Sequence, residues 1–227
     1  MDRPIIGVSA RPYITDNGRN ALVILESIRR VIINNGGIPH IILPTQDMVY
    51  MNNRETPLTD KDKEILDAQI NMCDGILMPG GDFMYFYDNY ICEKANKKDM
   101  PLLGVCMGMQ VMCNYNNDNK NIFIEGHKDL QKEYVHSVNI IPGTKLYDII
   151  GEEKIMVNSI HRTKVPNSGD YSISAKAEGD IIEGIEKKDK LFNIGVQWHP
   201  ERTDDAPSRK IITAFIDACK QYKELNK

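Results

Sequence analysis

No apolar run in the sequence approaches the length of a membrane-spanning helix, and the first residues lack the charged and apolar regions of a signal peptide. There is no basic stripe either, and the formal net charge is −4, so a nucleic-acid partner is not expected. The five cysteines contain no Cys-x-x-Cys pair and no Cys/His spacing of a zinc site. These absences predict a cytoplasmic protein that binds neither membranes nor nucleic acid and holds no structural zinc.

The chain has no internal repeat, and its 227 residues suffice for one α/β domain, so we expect a single domain over residues 1–227. Strand-like segments alternate with helix-like ones: strands at 5–8, 38–43, 75–78 and 102–105, and helices at 21–35 and 59–72. Thr59 and Asp62 have the spacing of a capping box. The alternation predicts a doubly wound, mostly parallel sheet, with ligands beyond the carboxyl ends of the strands. Short strands over 134–196 predict antiparallel additions to this sheet.

One stretch has the pattern of a nucleophile elbow, the sharp strand-to-helix turn that presents a catalytic side chain to substrate. The apolar strand from Pro101 ends in Gly104-Val-Cys106-Met-Gly108 and passes into helix-compatible sequence. The glycines are expected to keep Cβ atoms out of a crowded turn and to adopt dihedrals that other residues avoid. A helix N-terminus favours the thiolate of Cys106. An isolated cysteine of this kind is otherwise typical of a buried core strand.

A second polar cluster supplies what a cysteine nucleophile needs, namely a base and a group that orients it. His199 and Glu201 are two residues apart, so extended backbone places their side chains on one face, with Pro200 restricting the chain between them. Alone, each could be a structural histidine or a solvated carboxylate. Together with the elbow they predict a catalytic triad of Cys106, His199 and Glu201. His161 is a rival base that lacks a carboxylate at this spacing. The remaining histidines are interpreted as structural: His40, His127 and His136.

Three segments resemble the signatures of class I glutamine amidotransferase-like hydrolases: Gly104–Gln110, Pro79–Asp82 and Gly195–Glu201. Within that group the chain is most similar to the γ-glutamyl-γ-aminobutyrate hydrolase branch, peptidase family C26. Further likeness in Arg3–Val8, 158–161 and 177–186 extends the resemblance over nearly the whole chain. It implies a flavodoxin-like sheet with antiparallel additions, a small-molecule γ-glutamyl substrate and no metal or other cofactor.

The resemblance also implies roles for individual residues. The amides of Gly81 and Met107 would bind the oxyanion, since glycine-rich backbone can point its N–H groups at the reacting carbonyl. Gln110 would contact the γ-glutamyl group, and the segment His161-Arg162-Thr163 would hold the charged ends of the substrate. Thr163 stands where the family carries a glutamine. The segment after Pro79–Asp82 is shorter than in the family, and an asparagine-rich tract at 114–121 follows the elbow helix.

These features predict hydrolysis of a γ-glutamyl amide or peptide bond through a γ-glutamyl thioester, with release of glutamate and an amine. Two alternatives stay open: a glutaminase subunit that supplies ammonia to a partner synthetase, and a non-catalytic binding or regulatory protein on the same fold. The sequence leaves open whether the chain acts as a homodimer or with such a synthetase.

The aromatic segment 83–90 follows the predicted oxyanion loop, and we expect it to lie over the rim of the site. Its aromatic side chains would contact the leaving amine or, equally, pack within the protein: Phe83, Tyr85, Phe86 and Tyr87. The cysteines other than Cys106 are expected to serve packing, except Cys92, whose place among aromatics allows exposure. The other three lie in helix-like sequence: Cys73, Cys113 and Cys219.

Overall fold

A computed structural model describes residues 3–47, 55–116 and 120–227. The strands within these ranges are β1 Ile5–Ser9, β2 Arg11–Ile14, β3 Asn20–Val23, β4 Ile38–Ile42, β5 Gly75–Met78, β6 Leu102–Val105, β7 Ile122–Phe123, β8 His136–Ile140, β9 Lys154–Val157, β10 Thr163–Lys164, β11 Ser172–Ala177, β12 Ile181–Glu186 and β13 Asn193–Val196. The helices are α1 Glu26–Asn34, α2 Asp60–Ile70, α3 Phe86–Lys97, α4 Met107–Asn114, α5 Lys145–Ile150 and α6 Ala206–Leu225.

One large mixed sheet organises these elements, with strand order β4-β1-β5-β6-β13-β12-β11-β8-β9. The pairs from β4 across to β13 are parallel. From β13 to β9 every pair is antiparallel. The prediction of a doubly wound, mostly parallel sheet with antiparallel additions is therefore confirmed, and the additions come from the stretch in which short strands were expected.

The parallel and antiparallel parts of the sheet meet at β13, which pairs parallel with β6 and antiparallel with β12. Val105 lies opposite Val196, and the amide of Cys106 donates to the carbonyl of Val196 at 2.8 Å. Both strands therefore end at the same level on one edge of the sheet. The residues that follow them, Cys106 and His199, are brought to that edge from distant parts of the sequence.

Helices cover both faces of the sheet and bury an apolar layer on each. Alternate strand residues point to opposite faces, so Leu77 and Leu103 pack with α1, α5 and α6, whereas Ile76 and Leu102 pack with α2, α3 and α4. Helices α1, α2 and α6 have exposed outer positions, whereas every residue of α4 is buried. None of the helices within the described ranges is long and apolar enough to cross a membrane.

The expectation of a helix over 21–35 is wrong at its start. Residues 20–23 form β3, which pairs antiparallel with β2, and α1 begins only at Glu26. The turn between the strands decides this: Gly18 has φ of 77°, and the amide of Thr15 donates to the carbonyl of Arg19 at 2.9 Å. Because the hairpin closes in this way, residues Asn20 to Val23 pair with β2 and do not belong to α1.

The structure also decides the expectations about the capping box of α2 and the exposure of Cys92. The capping box at α2 is confirmed, because Thr59 accepts from the Asp62 amide while the Asp62 carboxylate accepts from the Thr59 amide. The expectation that Cys92 could be exposed is wrong, because α3 directs its side chain into the core and the residue is 0% exposed. The predicted loop over 114–121 lies partly outside the described residues; α4 ends at Asn114.

Candidate active site

Cys106 is held in strained backbone between β6 and α4. Its φ of 52° and ψ of −105° lie in a region that residues with a side chain rarely adopt. It directly precedes Met107, the first residue of α4, so its thiol lies beside the positive end of the helix dipole. The side chain lines the main cavity of the described residues although the residue is only 7% exposed. The local geometry is that of a nucleophile elbow.

The two glycines of the elbow are needed because a larger side chain would not fit. The expectation that they adopt dihedrals which other residues avoid is wrong. Neither Gly104 nor Gly108 has a positive φ; Cys106 itself carries the strained conformation. A Cβ on Gly108 would lie 2.1 Å from the carbonyl oxygen of Met78, and one on Gly104 would lie 2.3 Å from Sδ of Met112. The glycines let α4 pack directly on the ends of β5 and β6.

His199 and Glu201 form a close, buried pair. Nδ1 of His199 lies 2.7 Å from Oε1 of Glu201, with side-chain exposures of 7% and 1%. Cys106 is the other ionisable side chain close enough to act on the ring. Burial disfavours the imidazolium, but the charges of Glu201 and Cys106 outweigh it and raise the pKa of His199 to about 10. At neutral pH the histidine is therefore protonated beside the cysteine.

Asn158 holds the backbone of His199 from both sides, a role that the sequence did not reveal. Its Nδ2 donates to the His199 carbonyl at 2.9 Å, and its Oδ1 accepts from the His199 amide at 2.9 Å. The resemblance included Asn158 within a matching segment, but nothing local to that segment indicated its partner.

The loop after β5 lies against the cysteine and the histidine. A Cβ on Gly80 would be 2.8 Å from Cε1 of His199 and 3.6 Å from Cβ of Cys106, so only glycine allows this approach. Gly81 follows in the same loop and lines the cavity. The roles of Gly81 and Met107 as oxyanion donors remain a prediction.

Arg11 fastens this loop, and sequence reasoning missed it. The guanidinium donates from Nη2 to the carbonyl of Pro79 at 2.7 Å and from Nε to that of Gly80 at 3.3 Å. Its Nη1 lies 2.6 Å from Oδ2 of Asp88, a fully buried carboxylate in α3. Because these partners are 68 to 77 residues away in sequence, no local motif could have indicated the contact.

The predicted substrate-binding residues form an internal network beside the site. Gln110 is 1% exposed and donates from Nε2 to the carbonyl of Thr163 at 3.1 Å and to Oε1 of Gln197 at 3.1 Å. His161 faces Glu183, with Nε2 and Oε1 3.5 Å apart, and the Arg162 side chain is exposed. Among the described residues these four predicted residues do not line the main cavity. Contact with substrate stays a prediction for all four.

The cavity above Cys106 has a volume of about 460 Å³. One wall is apolar and comes from the β2–β3 hairpin and the segment that leads into α1: Tyr13, Ile14, Val23, Ile24 and Leu25. Charged side chains also line the cavity: Arg11, Lys128, Arg202 and Asp82. The site therefore combines charged groups and an apolar wall around the thiol.

The aromatic segment contributes to this rim only in part. Phe83 and Tyr85 line the cavity. Tyr87 is 0% exposed, and its hydroxyl donates to the carbonyl of Ala10 at 2.7 Å, so of the two alternatives expected for this side chain the structure shows packing within the protein. The start of α3 turns this side chain away from the cavity and into the core.

Comparisons with known proteins show the family and the fold of the chain. A family model described as Peptidase C26 matches residues 86–201, just over half of the chain. A glutamine amidotransferase-like protein of Rickettsia prowazekii is 29% identical over 96% of this chain and 99% of its own length. A CTP synthase of Symbiobacterium thermophilum is 26% identical over 89% of this chain, but the chain spans only 42% of that enzyme.

A solved structure shows the same fold. The glutaminase domain of Trypanosoma brucei CTPS, with bound acivicin, matches with a TM-score of 0.66 over 96% of this chain and 94% of that one. The sequence identity of this pair is 15%, so the likeness shows the fold alone.

Proposed function

The chain belongs to the Peptidase C26 family, among the class I glutamine amidotransferase-like proteins, and from this premise we propose that it is a cysteine hydrolase of γ-glutamyl amides. The observation that carries the proposal is the strained Cys106 beside the buried pair of His199 and Glu201. A protonated histidine stabilised by a carboxylate keeps a neighbouring thiol in its nucleophilic form. The remainder of the site supplies a cavity for substrate and a loop of backbone amides.

The reaction follows from these groups in two steps. The Cys106 thiolate attacks the γ-carbonyl carbon, and the oxyanion that forms is bound by the amides of Gly81 and Met107. Nε2 of His199 gives its proton to the departing amine, the C–N bond breaks, and a γ-glutamyl thioester remains. Water then attacks the thioester while His199 accepts its proton, and cleavage of the C–S bond releases glutamate.

The lining of the cavity indicates how a γ-glutamyl group would be oriented. Lys128 and Arg202 have no ion-pair partner among the described residues, and both border the cavity. We assign the α-carboxylate of the substrate to them and the α-ammonium group to Asp82, since each charge needs a partner once it leaves water. This assignment replaces the predicted segment 161–163, which does not line the cavity. The apolar wall of the hairpin then faces the leaving half.

The proposal is tested by measuring amine release from glutamine, γ-glutamyl-aminobutyrate and small γ-glutamyl peptides. We expect turnover of at least one γ-glutamyl amine or peptide that exceeds turnover of glutamine. Cys106→Ala should lower turnover on the order of 10⁴-fold or more, because the covalent path is lost. Cys113→Ala, which removes a buried thiol from α4, the helix that follows Cys106, is the matched control and should stay active. Retained turnover in Cys106→Ala would exclude the assignment.

A second candidate function is glutaminase activity in the service of a synthetase. It is favoured by the match to CTP synthase, in which this chain corresponds to less than half of the enzyme. Under this alternative the chain alone would turn over glutamine slowly and leave γ-glutamyl-aminobutyrate and peptides intact. The substrate profile therefore separates the two functions, and the addition of a synthetase partner would raise glutamine turnover only in the second.

A further inference from the structure

Outside the cavity, three histidines converge on one buried carboxylate. Nε2 of His127 lies 3.3 Å from Oε1 of Glu183, that of His161 lies 3.5 Å away, and that of His136 lies 3.8 Å away. One ligand atom from each of the four residues falls within 4.8 Å of all the others. Glu183, in β12, is 0% exposed, and the His161 side chain is 2% exposed. Four separate stretches of chain thus direct polar atoms at one point.

The hydrogen bonds of His161 and His136 show which ring nitrogen carries a hydrogen and which one presents a lone pair to the Glu183 carboxylate. Nδ1 of His161 lies 3.0 Å from the carbonyl of Thr163, and Nδ1 of His136 lies 3.3 Å from that of Ser137. A carbonyl oxygen can only accept, so Nδ1 carries the hydrogen in both rings. In the neutral form of each ring, Nε2 is then a bare acceptor directed at the carboxylate.

Acceptors that face one another in the interior are costly unless something positive lies between them. Nε2 of His136, Nε2 of His161 and Oε2 of Glu183 are all buried without a hydrogen-bond partner among the described residues. The rings also pack closely: the centroid of His127 is 4.4 Å from that of His136 and 4.6 Å from that of His161. A single cation at the centre would satisfy the whole group.

We infer that His127, His136, His161 and Glu183 form a metal site that binds one Zn²⁺ or a similar divalent transition-metal ion. Tetrahedral Zn²⁺ with bonds of about 2.0–2.1 Å separates its ligand atoms by roughly 3.3 Å. The three histidine–carboxylate spacings of 3.3 to 3.8 Å lie near this value. Every pair of ligand atoms lies within 4.8 Å, so the rings would move inward to close the tetrahedron. Imidazole ligands suit Zn²⁺ and its neighbours in the series, whereas Ca²⁺ and Mg²⁺ prefer oxygen.

The site has the character of a structural centre. Four protein ligands complete a tetrahedral shell, and the Nδ1 contacts to Thr163 and Ser137 are the supporting bonds that orient metal-binding histidines. The sequence could not indicate such a site, because its ligands spread from His127 to Glu183 and contain no short spacing. It is independent of the thiol chemistry at Cys106.

A bound ion would nevertheless steady the active site through one segment of chain. The carbonyl of Thr163 accepts from both His161 and Gln110, and Asn158, three residues before His161, holds the backbone of His199. Fixing His161 at a metal therefore fixes both ends of residues 158–163. Loss of the ion should mainly lower thermal stability. It should lower activity to a smaller extent.

The experiment uses the full chain carrying Cys106→Ala, so that the reactive thiol cannot bind the titrant. After treatment with a chelator, Zn²⁺ is titrated by calorimetry, metal content is measured after desalting, and the visible spectrum is recorded with Co²⁺. We expect one equivalent of Zn²⁺, a higher Tm on binding, and the intense absorption of tetrahedral Co²⁺.

Added in turn to this background, His127→Ala and His136→Ala, the two most exposed ligands, should weaken Zn²⁺ binding by more than about 100-fold and remove the shift in Tm. His40→Ala, which removes a histidine on β4 outside the cluster, should leave both unchanged. Failure of the folded parent to bind Zn²⁺ or Co²⁺ in stoichiometric amount would overturn the inference. So would binding that survives both ligand substitutions, because the ion would then lie elsewhere.

Discussion

At the scale of single residues, the charge state of the site depends on the contact between His199 and Glu201. Burial acts against the imidazolium, so the raised pKa of about 10 exists only because charged partners surround the ring. The folded value lies above the ordinary value of 6.5. The pair therefore stabilises the folded state fully below about pH 6.5, and this contribution is lost as the pH rises through about 10.

Glu201→Gln should move this titration in a defined direction. A neutral amide retains a hydrogen bond to the ring but removes the negative charge, so the pKa of His199 should fall. The alkaline limb of the pH–rate profile should shift to lower pH, and turnover should fall by less than in Cys106→Ala. Rate profiles and histidine NMR titration measure both effects.

Glu178→Gln, which alters an exposed carboxylate, is the control for the loss of one negative charge. It should leave the alkaline limb where it is. An unchanged limb in Glu201→Gln would show that another group sets the protonation of His199.

The residues found from sequence and those missed differ in one respect. Cys106, His199 and Glu201 belong to short motifs whose spacing reflects local backbone, so they were predictable. Arg11 and Asn158 act on partners in distant elements, and their roles exist only once the sheet has formed. Glu183 was missed because a single carboxylate within a strand has no distinctive local pattern.

At the scale of elements, the loop after β5 depends on a side chain from β2. Arg11 bridges two carbonyls of this loop and the buried Asp88 of α3. Removal of one partner leaves a charge buried without compensation, which typically costs about 3–5 kcal/mol. The loop that lines the site is thus stabilised by the ion pair of Arg11 with Asp88.

Two substitutions separate the effect on stability from the effect on the loop. Arg11→Ala should destabilise the fold strongly, because Asp88 is left unpaired. Arg11→Lys keeps the charge but lacks the planar fork that reaches both carbonyls, so it should slow thioester formation with a smaller loss of stability. Thermal unfolding and single-turnover acylation measure the two effects. Arg19→Lys, in the turn of the same hairpin, is the control.

An acylation rate in Arg11→Lys equal to that of the unmodified protein would show that the loop keeps its geometry without the bidentate contact. Loss of stability with unchanged acylation in the surviving folded fraction would assign Arg11 to folding alone.

The prediction of strands and helices succeeded where an apolar run had clear boundaries. It failed where apolar residues at helical spacing extended into a segment that forms a strand. The strands of the parallel part are short apolar runs, and proline closely follows two of them, at Pro44 after β4 and Pro79 after β5; the structure contains them all. Leu22, Leu25 and Ile28 have helical spacing, but the first lies in β3, the second before α1, and only Ile28 within the helix. Closure of the hairpin at Gly18 overrode that spacing.

At the scale of the whole molecule, five thiols share one fold but only one borders the main cavity. Burial raises the pKa of Cys73 to about 12 and that of Cys113 to about 12, and it raises the pKa values of Cys92 and Cys219 well above the ordinary range. These four therefore remain protonated thiols at neutral pH. Cys106 alone lies beside an imidazolium.

Iodoacetamide at neutral pH should consequently label Cys106 and abolish turnover, while the other four cysteines react only after unfolding. Peptide mass mapping before and after addition of denaturant measures this pattern. The Cys106→Ala protein is the control and should take up no label while folded. Early labelling at a core cysteine would show that the fold opens more readily than its packing implies.

The general architecture was predictable because alternating strands and helices permit few arrangements. The order of the antiparallel part was not, since β8, β9, β11 and β12 have similar apolar patterns and only packing selects their neighbours. The cluster around Glu183 lies in this part. A site whose residues are brought together by the order of the strands is therefore the feature of this molecule that is most difficult to predict from sequence.

The meeting of β6 with β13 has a consequence for how the protein is made. Cys106 and the loop at Gly80 leave the ribosome before His199 and Glu201, which lie much further along the chain. Until β13 pairs with β6, the thiol has neither its charged neighbour nor its proton donor. The nascent chain would thus carry a dormant cysteine, and hydrolytic capacity would begin only when the last strand of the large sheet is in place.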